Sequence, residues 1–204
     1  MRSIYVPPDT LKRVARFMKP VNALALRVSA VTGLRIGDVL KLQRSALQGA
    51  TLRYTAAKTG KQGEAVLPPA VVKALKTAGN SEYFFPGRKP GTTRTRQAVY
   101  RDMKRACERA NVAGQVSPHS ARKVYAVELR KRDGVAAVQA ALQHSNRETT
   151  LAYAYADLVG ADMLGIEAER LELLAEMIAE KVVKLLRRAN ECSGIDNAAG
   201  GVIT

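Results

Sequence analysis

The sequence predicts a mainly α-helical protein with a small antiparallel β-sheet, an α+β arrangement. Apolar residues recur at helical spacing through most of the chain. Two short strand-like runs, Thr51–Lys58 and Glu64–Leu67, flank a loop containing Gly60 and Gly63, as in a β-hairpin. Proline, serine and glycine stand where helices would start and stop.

Lys12–Val31 carries Val14, Phe17, Val21, Leu24, Leu26 and Val28 at helical spacing, and Pro20 interrupts the run. A short helix and then a longer one from about Val21 are expected. Gly33 should end the second in a left-handed conformation. A helix from about Arg35 to Leu42 would put Arg35 and Asp38 one turn apart on a shared face. After the hairpin, Pro69–Ala78 reads as a helix starting at a proline, and Tyr83–Phe85 as a third short strand. Gly87–Thr93 reads as a loop and Thr95–Ala110 as an arginine-rich helix.

Ser117-Pro118-His119 supplies an N-cap serine and a proline at the first helical position, so a helix should run from here to about Arg132. Gly134 ends it, Ala136–Leu142 forms a further short helix, and Glu148–Ala156 another. Met163–Arg188 is a long amphipathic pattern. Ser193–Thr204 is small and polar and is expected to be disordered.

A chain of 204 residues has room for one good-sized domain whose core needs neither metal nor disulfide. Cys107 and Cys192 lie far apart, and neither is spaced with the two histidines as paired metal ligands. No zinc site or disulfide framework is expected. No signal-like segment opens the sequence, and no apolar run approaches the roughly 20 residues a bilayer requires. A soluble, cytoplasmic protein is the expectation.

The net charge is +15 and unevenly spread. Residues 1–155 hold 28 of the 33 basic but only 9 of the 18 acidic side chains, whereas the remainder is net acidic. Such an excess is the footprint of a polyanion binder. The helix carrying Arg96, Arg101, Lys104 and Arg105, preceded by Arg88, Lys89 and Arg94, is suited to track a DNA backbone; Lys61 in the hairpin loop would add to it.

Five segments then follow one another in a fixed order. They are Thr32-Gly33-Leu34-Arg35-Ile36-Gly37-Asp38, Lys58-Thr59-Gly60-Lys61, His119-Ser120-Ala121-Arg122, Leu142-Gln143-His144-Ser145 and Thr149-Thr150-Leu151-Ala152-Tyr153. Each alone is commonplace. Together, on a strongly basic chain, they resemble the catalytic domain of the tyrosine recombinases, also called the phage integrase family, over about residues 10–160.

Phosphodiester cleavage spreads charge over the equatorial oxygens, so fixed donors dominate its catalysis. Arginine suits that role because its planar fork meets two oxygens at once. His119 and Arg122 lie three residues apart at the head of a helix, where unpaired N–H groups also favour an anion. The resemblance implies Arg35 and Arg122 as phosphate ligands, Tyr153 as nucleophile and Lys58 as acid for the leaving 5′-oxygen, with Lys61 in reserve. It implies His119 as base or phosphate donor and His144 as a hydrogen-bond donor to a non-bridging oxygen. Asp38 would orient Arg35. A covalent 3′-phosphotyrosyl intermediate needs no metal or other cofactor.

Tyr155 competes for the role of nucleophile, but two residues along a helix turn it about 200° away from Tyr153. The nine-residue interval from His144 favours Tyr153. Asp38 replaces the family's usual glutamate, Gln143 its glycine and Ala121 its leucine. Only about 20 residues precede the first expected catalytic-domain helix, so the helical core-binding domain usual in integrases is not expected within this sequence. The expected organisation is a catalytic domain over 1–160, an amphipathic helix over 161–192 that docks on a neighbouring protomer or on its own domain, and a disordered 193–204.

In size the chain is similar to the short fimbrial-switch invertases, a reading the initiating Met1 slightly favours over a partial gene product or a piece cut from a longer protein. The implied partners are double-stranded DNA, further copies of the chain in a tetramer on two sites, and accessory DNA-bending proteins. Two rival functions are a DNA-binding regulator that keeps the fold without strand exchange and a type IB topoisomerase-like enzyme.

Overall fold

Proline sets the start of four helices, because its fixed φ suits the first turn and its missing N–H would be unpaired there anyway. These are α1 (Pro8–Arg16), α2 (Pro20–Thr32), α4 (Pro69–Thr77) and α6 (Pro118–Leu142). The computed structural model describes residues 3–58, 60–80, 82–142 and 147–158, the side chains of Arg147 and Glu148 excepted. Within them lie also α3 (Ile36–Val39), α5 (Arg96–Arg109) and α7 (Arg147–Ala154), and a sheet of β1 (Leu47–Gln48), β2 (Thr51–Thr55) and β3 (Gln62–Val66). The expected helix after residue 160, the tail and His144 all fall outside the described residues.

The sheet is antiparallel in the order β1-β2-β3, with Leu52 opposite Leu47 on one side and Ala65 on the other. The protein is therefore mainly α with a small antiparallel sheet. Its third strand is not the expected Tyr83–Phe85. Among the described residues that segment makes one isolated bridge, Tyr83 with Gln43, and Pro86 just beyond it makes another with Thr93. Phe84 and Phe85 are both buried, so consecutive side chains lack the in-and-out alternation of a half-covered strand. The third strand is Leu47–Gln48, turned into β2 at Gly49, whose φ is 61°.

Other boundaries shift by less. The first helix starts at Pro8, not Lys12, and Pro20 separates it from α2 as expected, standing as the first residue of that second helix. The helix expected over Arg35–Leu42 is only Ile36–Val39, with Arg35 extended at its N-cap. The strand before the loop ends at Thr55, leaving Lys58 in the turn. Gly134, at φ 82° and ψ 177°, breaks α6 where the sequence placed its end.

The apolar side chains form two clusters. The larger joins α1 through α5, the sheet and the start of α6, with Val14, Leu26, Val28, Leu52, Phe84, Phe85 and Met103 at its centre. A smaller one, Ala126, Leu129, Val138, Leu142 and Ala154, joins the two parts of α6 to α7. The buried amide of Asn22 ties the elements around α2 together: it donates to the Asp102 carboxylate and accepts from Arg94 Nε. The same carboxylate accepts from the Lys19 backbone N–H at 2.9 Å, ahead of α2.

Gly33 closes α2 with φ 70° and a backbone N–H to the Ser29 carbonyl at 2.9 Å. A Cβ there would also lie 2.5 Å from the Tyr125 ring and 2.9 Å from Leu142. Gly33→Ala is therefore expected to cost about 2 kcal/mol or more, the sum of a left-handed backbone and an overpacked contact. Urea unfolding checks this, and a loss below about 0.5 kcal/mol would contradict it.

Candidate active site

The turn at Gly33 delivers Arg35. Thr32 Oγ1 donates to the Val28 carbonyl at 2.7 Å and accepts from Leu34 N at 3.2 Å, while Ser29 Oγ donates to the Leu34 carbonyl at 2.7 Å. All three residues are buried, so the backbone entering Arg35 is fixed from inside the fold. Arg35 itself is half-buried and lines a cleft of about 570 Å³.

Lys58 reaches the same cleft from the hairpin turn. That turn is closed by Ala56 N–H to the Lys61 carbonyl at 2.9 Å and Gly60 N–H to the Ala56 carbonyl at 2.8 Å. Asp38 contributes differently from its expected role of orienting Arg35. Its carboxylate accepts from the Ala57 backbone N–H at 3.3 Å, next to Lys58, and forms no ion pair with Arg35. One turn of a helix this short does not bring the two side chains together; Asp38 instead joins α3 to the hairpin.

His119 and Arg122 come from the first turns of α6. Ser117 Oγ accepts from the His119 N–H at 3.2 Å, and Ser120, fully buried, donates to the Ile4 carbonyl at 2.6 Å. Arg122 is 4% exposed. Its Nη1 donates to the Gly33 carbonyl and its Nη2 to the Leu142 carbonyl at 2.8 Å. Burial, and then the neighbouring Arg35 charge, lower its pKa to about 10, which still leaves it cationic at neutral pH.

Tyr153 arrives on α7, with its hydroxyl 3.4 Å from His119 Nδ1 and its ring 6.0 Å from both Arg122 Cζ and Lys123 Nζ. Tyr155 faces elsewhere, its ring 4.7 Å from Arg130 Cζ. The two tyrosines thus diverge as helical geometry requires.

Arg94 and Arg96 complete the cleft wall. A second cleft, about 690 Å³, continues past His119 along α5 and is lined by Arg96, Gln97, Tyr100 and Arg101. Lys61, Arg88, Lys89, Lys104 and Arg105 are exposed but line neither cleft. Lys41 and Lys123 were not singled out from the sequence. Lys41 lines the first cleft, and Lys123 donates to the Ser3 carbonyl at 2.6 Å beside Tyr153. The signal for Lys123 was its adjacency to Arg122.

Among the described residues no group of three or more metal-ligating side chains occurs, and no helix is long and apolar enough to cross a membrane. The arrangement offers fixed cations, an imidazole and a phenol around one space. It can bind an oxyanion and move a proton from phenol to imidazole.

Comparison with known proteins bears on the family and the fold. The sequence model of the phage integrase family matches residues 5–158. A protein of Sinorhizobium fredii named as an integrase/recombinase, y4qK, is 29% identical over 128 residues. That match takes in 59% of this chain and 42% of the other, so the chain spans less than half the relative's length. The catalytic domain of bacteriophage HP1 integrase superposes with a TM-score of 0.60 at 18% identity, over 79% of this chain and 92% of that one. Lambda integrase residues 75–356 bound to DNA gives 0.64 at 20% identity, over 82% and 65%. At such identities the likeness is one of fold.

His119 yields a prediction. Burial first, then Arg122, Arg35, Lys123 and Arg96, hold its imidazole below the ordinary 6.5. Between the folded and unfolded midpoints the unfolded chain binds the extra proton, so stability falls as pH drops below 6.5. An NMR titration of the imidazole, identified by comparison with His119→Gln, should show a midpoint below 6.5 that rises in Arg35→Ala. A midpoint at or above 6.5 in the wild type would contradict the assigned surroundings.

Proposed function

As the chain belongs to the phage integrase family, we infer that it is a site-specific DNA recombinase that cuts and rejoins DNA through a 3′-phosphotyrosyl intermediate. The observation that carries this reading is the meeting of Tyr153, His119, Arg122 and Arg35 from three separate stretches of the sequence.

Tyr153 Oη attacks the scissile phosphorus and the 5′-oxygen leaves, so a bond from phosphorus to the phenol oxygen replaces the P–O5′ bond while the phosphate stays on the 3′-sugar. The phenol proton goes to His119 Nδ1, which is within 3.4 Å and, with its lowered pKa, is neutral and able to accept at pH 7. Arg35 and Arg122 balance the charge on the non-bridging oxygens. Lys58, on its short turn, supplies the proton to the departing 5′-oxygen. The ester keeps the energy of the broken bond, so a 5′-hydroxyl from another strand can reverse the step.

DNA is the substrate this charge distribution supports. Arg96 and Arg101 of α5 line the second cleft and suit successive phosphates, and Lys61, Arg88, Lys89, Lys104 and Arg105 are further exposed cations for the backbone. The active assembly we propose is a tetramer on two DNA sites. A lambda integrase structure, described as a tetramer bound to a Holliday junction, shares the fold at TM-score 0.63 and 18% identity. His144 belongs to the proposal on its motif alone.

Nicked duplex DNA incubated with the protein and resolved on a denaturing gel tests the chemistry. The adduct should be lost in Tyr153→Phe and kept in Tyr155→Phe. Arg35→Ala should slow its formation by about 10²-fold or more, as for removal of one preorganised donor. Clear binding with no adduct in any protein would overturn the reading in favour of a regulator that only holds DNA. Binding should also weaken with salt by a log–log slope near about −0.9 per phosphate contacted; a flat response would contradict backbone recognition.

A further inference from the structure

The helix that carries the proposed nucleophile is short and depends on what it packs against. With 8 residues, α7 is well below the roughly 12–15 at which an isolated helix is even marginal in water. Its apolar anchorage is to the smaller cluster, which it enters through Ala154, with Tyr153 and Tyr155 at the edge. Proton transfer and in-line attack nevertheless require Tyr153 to stand in one place, since a displacement of about 1 Å costs on the order of 10²-fold in rate.

One side chain of α6 grips the end of this helix. Arg130 Nε donates to the carbonyl of Ala154, the last residue of α7, at 2.7 Å. Its Nη2 donates to both carboxylate oxygens of Asp157, at 3.1 and 3.0 Å, and its Cζ lies 4.7 Å from the Tyr155 ring. The ion pair is shielded, the two side chains being 19% and 14% exposed. Lys131 Nζ lies 3.4 Å from the same carboxylate, and Glu128 follows 3.8 Å from Lys131.

We propose that Arg130 is a positioning residue, a clamp on residues 154–157 that sets the Tyr153 phenol beside His119. The proposal rests on Tyr153 being the nucleophile. One planar guanidinium grips the chain at positions 154, 155 and 157 by three kinds of contact: a carbonyl hydrogen bond, a ring face and a shielded carboxylate. All three points lie directly after Tyr153, so the helix is held at the end nearest the phenol. A terminal helix carbonyl is an acceptor without an intrahelical partner and favours a cation, so the first contact satisfies a group the short helix leaves open. A surface ion pair would matter little; a shielded one leaves an uncompensated charge when either partner is cut.

The test uses the full chain on nicked duplex DNA at saturating protein, with two readouts. In single-turnover reactions Arg130→Ala should form adduct about 10²-fold more slowly at unchanged DNA affinity. Arg130→Lys, which keeps charge but not the fork, should recover only part of the rate. Amide hydrogen exchange should quicken by about tenfold or more across α7 in Arg130→Ala while α2 and α5 keep their protection. If Arg130→Ala does not fold, Asp157→Asn, which weakens one of the three grips, carries the same comparison.

Adduct formation within about twofold of wild type, or unchanged exchange in α7, would overturn the clamp. So would a loss of protection in every helix together with DNA binding, which marks a general structural role. If the wild type forms no adduct yet Arg130→Ala still frees α7 selectively, the recombinase reading falls and the clamp on α7 stands.

Discussion

One buried guanidinium holds the site together. Arg122 spans from the carbonyl of Gly33, at the end of α2, to that of Leu142, at the end of α6, and lies against the ring of Tyr153. The left-handed turn at Gly33 is what brings its carbonyl within reach, and the break at Gly134 is what folds Leu142 back to the other side. Truncating Arg122 would orphan two carbonyls, each costing about 1–3 kcal/mol. Its structural and electrostatic roles therefore cannot be separated by an alanine, and lysine would restore the charge without the two-pronged grip.

The same logic of fixed geometry governs the other cations. Arg35, Lys58, Arg94, Arg96 and Arg122 line one cleft, an arrangement that is repulsive until an anion enters. The fold holds it by engaging several of these side chains from behind. Arg94 is tied by Asn22 to Asp102, and Lys58 sits on a turn pinned by Asp38. Charges held in this way need no rearrangement when a phosphate arrives, and a bound polyanion would raise the stability of the whole unit by mass action.

How much of this could be read in the sequence depended on how local each cause was. Helix starts at Pro69 and Pro118, the cap at Ser117, the stop at Gly33 and the break at Gly134 are decided within a few residues, and each was legible. Tyr83–Phe85 was misread because its two phenylalanines are buried by the surrounding helices without a strand partner, which no short window reveals. Asp38 was seen as a partner for Arg35, three residues away, when its partner is the backbone of Ala57, nineteen residues away. The motif order named the side chains to look for; it carried no distance between Tyr153 and His119. The Arg130 clamp had no motif at all, since its partners lie 24 and 27 residues downstream across the break in α6.

Gly37 fixes a further relation. A Cβ at this position would sit 3.1 Å from Cδ of Arg96, so the bare backbone of α3 is the surface on which that arginine's stem lies as it crosses into the cleft. Positions 37 and 96 are in effect one choice made twice. Across descendants of this chain they should drift as a linked pair: a methyl at 37 asks the Arg96 stem to give by a few tenths of an ångström, and a bulkier residue there turns the cation onto another path.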